Sequence, residues 1–293
     1  MAHQLPYLVN CSILFSDRPI LERPRAAKAA GFDAVEFWWP FAESIPKEAE
    51  VEKFVSAVEE AGVSLIGLNF SAGDMPGGDR GLLSWPGRSQ EFRDSVDVAV
   101  SIGGRLGVTA FNALYGNRIT DISPELQDEL ALENLVVASS AAATIGAVIL
   151  IESISGAPRY PLLSAGDSLA VIDRAEIECG VENLGLLADL YHLSVNGEDL
   201  DALAGIYGSK ISHVQIADAP GRHEPGTGEI DLERYLVELE KVGYAGWVGL
   251  EYLVSPDRQD TFSWLDFERR AAPVAMRPSK RGPDRQDATG GER

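Results

Sequence analysis

Val148-Ile149-Leu150-Ile151-Glu152 is a run of apolar, mostly β-branched residues that ends directly in a carboxylate. A strand of a parallel sheet is covered on both faces, so it reads as a continuous apolar run, and a polar last residue marks the end that reaches a site. The same pattern returns as Leu184-Gly185-Leu186-Leu187-Ala188-Asp189, Ile211-Ser212-His213-Val214-Gln215 and Trp247-Val248-Gly249-Leu250-Glu251. Upstream, residues 7–11, 34–37, 64–69 and 108–111 read as four further strands.

Between these runs lie longer amphipathic stretches at 21–30, 46–61, 88–102, 123–145, 164–179, 199–207 and 231–242. In the second of them Val51, Phe54, Val55 and Val58 fall at helical spacing, and Gly62 supplies the stop that a left-handed residue gives a helix. Regular strand-then-helix alternation over a chain of 293 residues predicts an α/β protein, a closed (β/α)8 TIM barrel forming a single domain. No GxGxxG follows the first strand, which argues against an open dinucleotide-binding sheet. The barrel is expected to span 1–272. Residues 273–293 are rich in Arg, Gly, Pro and Asp and poor in large apolar residues, so they are expected to be a disordered tail. Truncation anywhere between Phe267 and Ala272 should then cost little.

Composition narrows the function. A net charge of −20, from 25 basic and 45 acidic residues, opposes a phosphate-backbone partner, so no nucleic acid is expected. The two cysteines, Cys11 and Cys179, lack CxxC spacing and indicate neither a disulfide framework nor a thiolate metal site. No apolar run approaches the ~18 residues of a membrane span, and no basic-then-apolar leader opens the chain, so a cytoplasmic protein with no membrane association is expected.

In a barrel the active site lies at the C-terminal ends of the strands. Here those ends carry Asn10, Glu36, Asn69, Asn112, Glu152, Asp189, Gln215 and Glu251. Turn chemistry accounts equally well for the three asparagines. It does not account for Glu152, Asp189 and Glu251, because carboxylates converging on one mouth repel unless a cation or proton sits between them. With Gln215 they form an all-oxygen set that suits Mg2+ or Mn2+. A hard divalent ion beside two carboxylates can polarise a carbonyl while the carboxylates move a proton on the neighbouring carbon, the chemistry of isomerisation or epimerisation.

Several motifs identify a resemblance. Val35-Glu36-Phe37 with Pro40, the loop 69–81 with Ala72-Gly73-Asp74 and Asp79-Arg80-Gly81, Pro86-Gly87-Arg88, and Glu91-Phe92-Arg93-Asp94 resemble the hydroxypyruvate isomerase family of the xylose isomerase-like barrels. Asp189-Leu190-Tyr191-His192, His213-Val214-Gln215-Ile216-Ala217-Asp218, Glu224-Pro225-Gly226-Thr227-Gly228-Glu229-Ile230 and Gly246-Trp247-Val248-Gly249-Leu250-Glu251-Tyr252 continue it, so that it covers roughly residues 7 to 267. The resemblance implies that Glu152 and Glu251 are the paired acid and base and also metal ligands, with Asp189 and Gln215 completing the metal set. It implies that His192 and Arg222 contact the substrate, one or the other holding its carboxylate; Asn69 and Glu36 are expected at the substrate as well. His213 is expected to support the site from behind. Gln215, where related ketose 3-epimerases have histidine, points to the isomerase branch.

The expected reaction interconverts hydroxypyruvate and tartronate semialdehyde through an enediolate, and the resemblance implies a cytoplasmic homo-oligomer. Ser153-Ile154-Ser155 and Met75 depart from the family's usual Pro-Ile-Asn and tryptophan, leaving a 2-oxo-tetronate isomerase or a ketose 3-epimerase as alternatives. The 71–87 loop, with Arg80 and Trp85, and the segment 224–229 are expected as rim or lid elements. A nuclease on the same barrel would need several histidine ligands and a basic face, and this chain has four histidines and a large negative charge. A non-catalytic sugar-acid binding protein would not need both glutamates.

Overall fold

The computed structural model describes residues 2–256 and 260–271; within them eight parallel strands close into a barrel in chain order. The strands are β1 (Tyr7–Asn10), β2 (Ala34–Phe37), β3 (Ser64–Asn69), β4 (Ala110–Asn112), β5 (Val148–Glu152), β6 (Leu184–Asp189), β7 (Ile211–Ile216) and β8 (Val248–Leu250). Closure is made by Tyr7, Leu8 and Val9 of β1 lying opposite Val248, Gly249 and Leu250 of β8. A closed sheet has no unpaired edge.

The helices are α1 (Arg23–Ala29), α2 (Glu48–Ala61), α3 (Ser89–Leu106), α4 (Pro124–Ala143), α5 (Ala165–Cys179), α6 (Leu190–Val195), α7 (Leu200–Tyr207), α8 (Leu232–Lys241) and α9 (Phe267–Arg270). Among the described residues no helix is long and apolar enough to cross a membrane. Short-range chemistry fixes many helix ends. Ser164 Oγ accepts from the Asp167 N–H while Asp167 Oδ2 accepts from the Ser164 N–H, a reciprocal cap that starts α5.

Several boundaries differ from the expectation, each for a physical reason. The helix expected over 88–102 continues to Leu106, because Gly103 is a packing position: a Cβ there would lie 2.7 Å from Phe111 Cζ. Pairing in β4 begins at Ala110 instead of residue 108, where Gly67 becomes its partner. Sequence patterning missed α6, which starts immediately after β6 because the Asp189 side chain caps it. The eighth unit is irregular, its helix reduced to the single turn α9.

Side-chain parity explains why the mouth is polar. Leu8, Ala34 and Ile66, with Trp247, form one small interior cluster; Ala110, Leu150 and Leu187, with Val148, form another, and both are separate from the main core between barrel and helices. Successive strand side chains alternate faces. Residues two beyond Leu8, Ala34, Ala110, Leu150 and Leu187 therefore point inward at the C-terminal end, and these are Asn10, Glu36, Asn112, Glu152 and Asp189.

The C-terminal end of the described chain docks more firmly than its composition suggests. Arg270 donates to the carbonyl oxygens of Leu265, Ala30 and Phe262 and lies over the rings of Phe262 and Phe267, while Arg269 lies over Tyr7. Long arginine stems cover apolar surface, which a count of large apolar residues does not register. These contacts of Arg269 and Arg270 count against the expectation that truncation from Phe267 costs little. Residues 272–293, which include the expected tail, lie outside the described residues. Replacing Arg270 by Ala should cost about 1–3 kcal/mol of stability, the scale of losing charged hydrogen bonds to buried acceptors, as read from urea unfolding; an unchanged midpoint would mean that α9 does not brace the barrel.

Candidate active site

The C-terminal mouth opens into a cavity of about 820 Å3. At its floor, carboxylate oxygens of Glu152, Asp189 and Glu251 and a ring nitrogen of His192 lie within 4.8 Å of one another, all on buried residues. Each acid is oriented by a particular partner. Glu152, at the end of β5, takes a 2.7 Å hydrogen bond from Asn112 Nδ2 at the end of the adjacent β4. Glu251 Oε1 accepts from Trp38 Nε1 at 2.6 Å and from Asn10 Nδ2 at 3.1 Å, and its Oε2 accepts from Arg222 at 2.9 Å.

Asp189 divides its labour between its two oxygens. Oδ1 accepts from the backbone N–H groups of Tyr191 and His192 and so caps α6, while Oδ2 is buried with no hydrogen-bond partner among the described residues. Gln215 has the same asymmetry. Its Nε2 donates to Glu36 Oε1 at 2.7 Å, which fixes the amide, and its Oε1 is buried and unpartnered. Buried polar oxygens are rarely left without a partner; among the described residues three are, Asn112 Oδ1, Asp189 Oδ2 and Gln215 Oε1, and the last two stand with two buried glutamates as a set of oxygen donors. The residues therefore fit a hard divalent ion, with oxygens from Glu152, Asp189, Gln215 and Glu251.

His192 could complete such a set only through Nε2, and its hydrogen bonds argue against that. The Ser155 backbone N–H donates to Nδ1 at 3.0 Å, with Ser155 Oγ at 2.8 Å. A ring nitrogen that accepts cannot carry the proton, so in the neutral ring the proton sits on Nε2, 3.6 Å from Asp189 Oδ2. Burial, with help from Arg222 and Arg80, moves the His192 pKa down to about 4 despite Asp189, so the ring is neutral at pH 7. It is thus a hydrogen-bond donor aimed into the mouth.

Burial dominates the electrostatics, with crowding second. Burial first, and then repulsion from Asp189, push the Glu152 pKa up to about 8, with the Asn112 hydrogen bond acting in the opposite direction. Burial also raises Glu251 well above the usual carboxylate range, although Arg222 opposes the shift.

Of the other residues singled out from the sequence, Asn69, His192 and Arg222 line the cavity. Glu36 does not. It lies beneath the cluster, with Oε2 2.8 Å from His213 Nε2 and Oε1 shared by Gln215 and Asn10. Glycines make room for it: a Cβ at Gly249 would be 2.8 Å from Glu36 Oε1, and one at Gly67 would be 3.2 Å from Glu36 Cβ. The sequence reading did not single out Trp38 or Ser155 as site residues. A tryptophan pair immediately after β2 was the available signal for the first; the second acts largely through its backbone, which no side-chain pattern reveals. Asn10 and Asn112, which turn chemistry explained equally well, each hydrogen-bond a glutamate. The 71–87 segment forms one wall through Ser71, Gly73, Met75 and Arg80. The 224–229 segment does not line the cavity.

Comparison with known proteins follows the same lines. The family model for xylose isomerase-like TIM barrels matches residues 24–267. A putative hydroxypyruvate isomerase of Streptomyces coelicolor is 54% identical over 269 residues, 90% of this chain and 96% of the relative. The hydroxypyruvate isomerase of Escherichia coli is 34% identical over 264 residues, 89% and 98% of the two chains. A 2-oxo-tetronate isomerase of Cupriavidus necator is 31% identical over 261 residues, 88% and 96%.

Two outcomes follow from the raised carboxyl pKa values. Glu152 binds its proton more tightly folded than unfolded, so the metal-free protein should lose stability as pH rises from about 5 to 8, a fall in Tm that saturating Mn2+ should flatten. Mn2+ must also displace protons, so its affinity should rise with pH over 6–8 and calorimetric heats should depend on the buffer's ionisation enthalpy. In Asp189→Asn the affinity should fall while the fold persists. A pH-independent affinity, or one unaltered in Asp189→Asn, would count against this cluster as the metal site.

Proposed function

The chain belongs to the xylose isomerase-like TIM barrels and, within them, to the hydroxypyruvate isomerase family, and we propose that it interconverts hydroxypyruvate and tartronate semialdehyde through an enediolate. The observation that carries this reading is the approach of Glu152 and Glu251, from β5 and β8, to within hydrogen-bonding range of one small volume, each held by side chains other than the opposing glutamate. A 1,2-shift of a carbonyl requires a group that removes a proton from one carbon and a group that returns one to its neighbour.

A divalent cation, Mg2+ or Mn2+, held by Glu152, Asp189, Gln215 and Glu251 would polarise the carbonyl and lower the energy of the developing oxyanion. The chain's own groups do the rest. One glutamate takes a proton from C3 of hydroxypyruvate, the C–H pair forms the C2–C3 double bond of the enediolate and the C2 carbonyl pair moves onto its oxygen; the C3 hydroxyl proton then passes to the C2 oxygen, and a proton returned to C2 leaves C3 as the aldehyde. Asn112 and Trp38 keep the two carboxylates aimed, so little reorganisation is needed at each transfer. The His192 Nε2–H donates to a substrate oxygen. Arg222, lying over Tyr191 and bonded to Glu251, moderates the charge of that glutamate as it gains and loses its proton. Glu36, His213 and Asn10 position the Gln215 amide from behind, and Asn69 borders the substrate.

A second reading has its own support. The cavity is larger than a three-carbon acid needs, so a 2-oxo-tetronate, one carbon longer, is the alternative substrate for the same chemistry.

Glu152→Gln and Glu251→Gln keep shape while removing the proton carrier, and each should lower turnover about 10^2-fold or more. EDTA should abolish activity, with Mn2+ or Mg2+ restoring it. NMR in D2O, with hydroxypyruvate, 2-oxo-tetronates and a free ketohexose offered in parallel, decides the substrate. Deuterium entering only the acids supports this assignment; epimerisation of the ketohexose at C3 with no turnover of the acids overturns it in favour of a sugar epimerase.

A further inference from the structure

Three guanidinium groups line the cavity, and their charges are matched differently. Arg88 is neutralised: it donates to Asp79 Oδ2 at 2.6 Å and grips both oxygens of Glu91 at 2.6 and 2.7 Å. Arg222 donates to Glu251 Oε2 and to the Glu251 backbone oxygen, and stands 3.9 Å from Asp189 Oδ2. Drawing it away would leave Glu251 and Asp189 facing each other with less compensation. Arg80 is the exception. Its NH1 donates to the backbone oxygens of Met75 at 3.0 Å and Asp79 at 2.6 Å, and among the described residues it has no carboxylate partner. In a chain with 45 acidic and 25 basic residues, a cation lining a cavity without an acid beside it is a position held for something else.

The backbone around Arg80 is strapped down. The Arg80 carbonyl accepts from the Gly116 N–H at 3.1 Å, and the Gly81 N–H donates to the Ala72 oxygen at 3.0 Å. Gly81 has φ of +113°, and a Cβ there would lie 2.0 Å from the Leu114 oxygen, so only glycine permits this approach to the segment after β4. NH1 is anchored, and Nε and NH2 remain as unused donors of a planar fork whose geometry matches a carboxylate. Arg80 lines the same cavity as Glu152, His192 and Glu251, where the reacting carbons would lie.

We propose that Arg80 binds the carboxylate of the substrate through its free donors and thereby makes the enzyme selective for short sugar acids over neutral ketoses of the same length. This rests on the isomerase reading above and replaces the sequence-based assignment of the carboxylate to Arg222 or His192. Those two stay with Glu251 and Asp189 at the reacting end, while Arg80 fixes the opposite, non-reacting end.

The test compares the isomerisation of hydroxypyruvate with that of dihydroxyacetone, in which a neutral hydroxymethyl group replaces the carboxylate. In wild type kcat/KM should favour the acid. In Arg80→Met that preference should fall about 10- to 100-fold, the scale of one charged hydrogen-bonding pair, mainly through KM for the acid, and Arg80→Lys should recover part of it. Glycerate, an acid with no carbonyl to isomerise, gives a readout free of turnover: its calorimetric Kd should rise at least about tenfold in Arg80→Met. A loop merely loosened by the substitution would depress both substrates alike and leave the preference intact. If Arg80→Met retains the wild-type preference and glycerate affinity, Arg80 is not the carboxylate site and the isomerase reading stands. If wild type itself shows no preference for the acid, the sugar-acid reading fails, and this assignment with it.

Discussion

Three carboxylates share a mouth from which water is largely withdrawn, and much of the surrounding architecture answers to their mutual repulsion. Glu152, Asp189 and Glu251 are all buried, with oxygens within 4.8 Å of one another. Burial first, and then the repulsion of like charges so placed, makes the glutamates hold their protons above the usual carboxylate range. Among the described residues Arg222 is the one guanidinium bonded to the cluster, and it serves Glu251. The free oxygens of Asp189 and Gln215 indicate where a second positive charge would sit.

The groups that aim the glutamates are mostly neutral: Asn112 on Glu152, and Trp38 and Asn10 on Glu251. Neutral donors align a carboxylate while perturbing its proton affinity less than a buried cation would, which suits groups that must both lose and regain a proton. Beneath them Glu36 collects Gln215, His213 and Asn10, and the missing side chains of Gly67 and Gly249 give it the space. Small residues on two strands thus govern the orientation of an amide on a third.

Loop rigidity extends the same logic outward. Two further buried acids hold the segment that carries Arg222. Asp218 accepts from the backbone N–H groups of Ala219, Gly226 and Ile230, and Glu224 accepts from Ser255 and Thr261. Arg222 itself has φ of +58°, an unusual conformation for a side-chain-bearing residue, kept by the bond from Leu253 N–H to its carbonyl. Across the mouth, the strap at Gly81 does the equivalent for Arg80. Binding residues on anchored loops lose less freedom when a ligand arrives, so more of the contact energy appears as affinity.

The sequence by itself determined the barrel, because continuous apolar runs alternating with amphipathic helices admit few other closed arrangements, and strand parity then decides which polar residues point inward. That logic singles out Glu152, Asp189, Gln215 and Glu251, since each lies at or next to the end of a strand. What it could not determine depends on distances between residues far apart in the chain. Asn10 and Asn112 read equally well as turn residues or site residues, and only the placing of β1 beside β8 and β4 beside β5 sets each against a glutamate. Glu36 looked like a cavity residue until its bonds to Gln215 and His213 showed it below the floor. Ser155 fixes the His192 tautomer through a backbone N–H, and Arg80 is distinguished by the carboxylate it lacks, neither of which leaves a trace in residue type. Periodicity is a local property and survives in one dimension; hydrogen-bond partnership and charge compensation arise only when the chain closes on itself, so only the tertiary structure decided them.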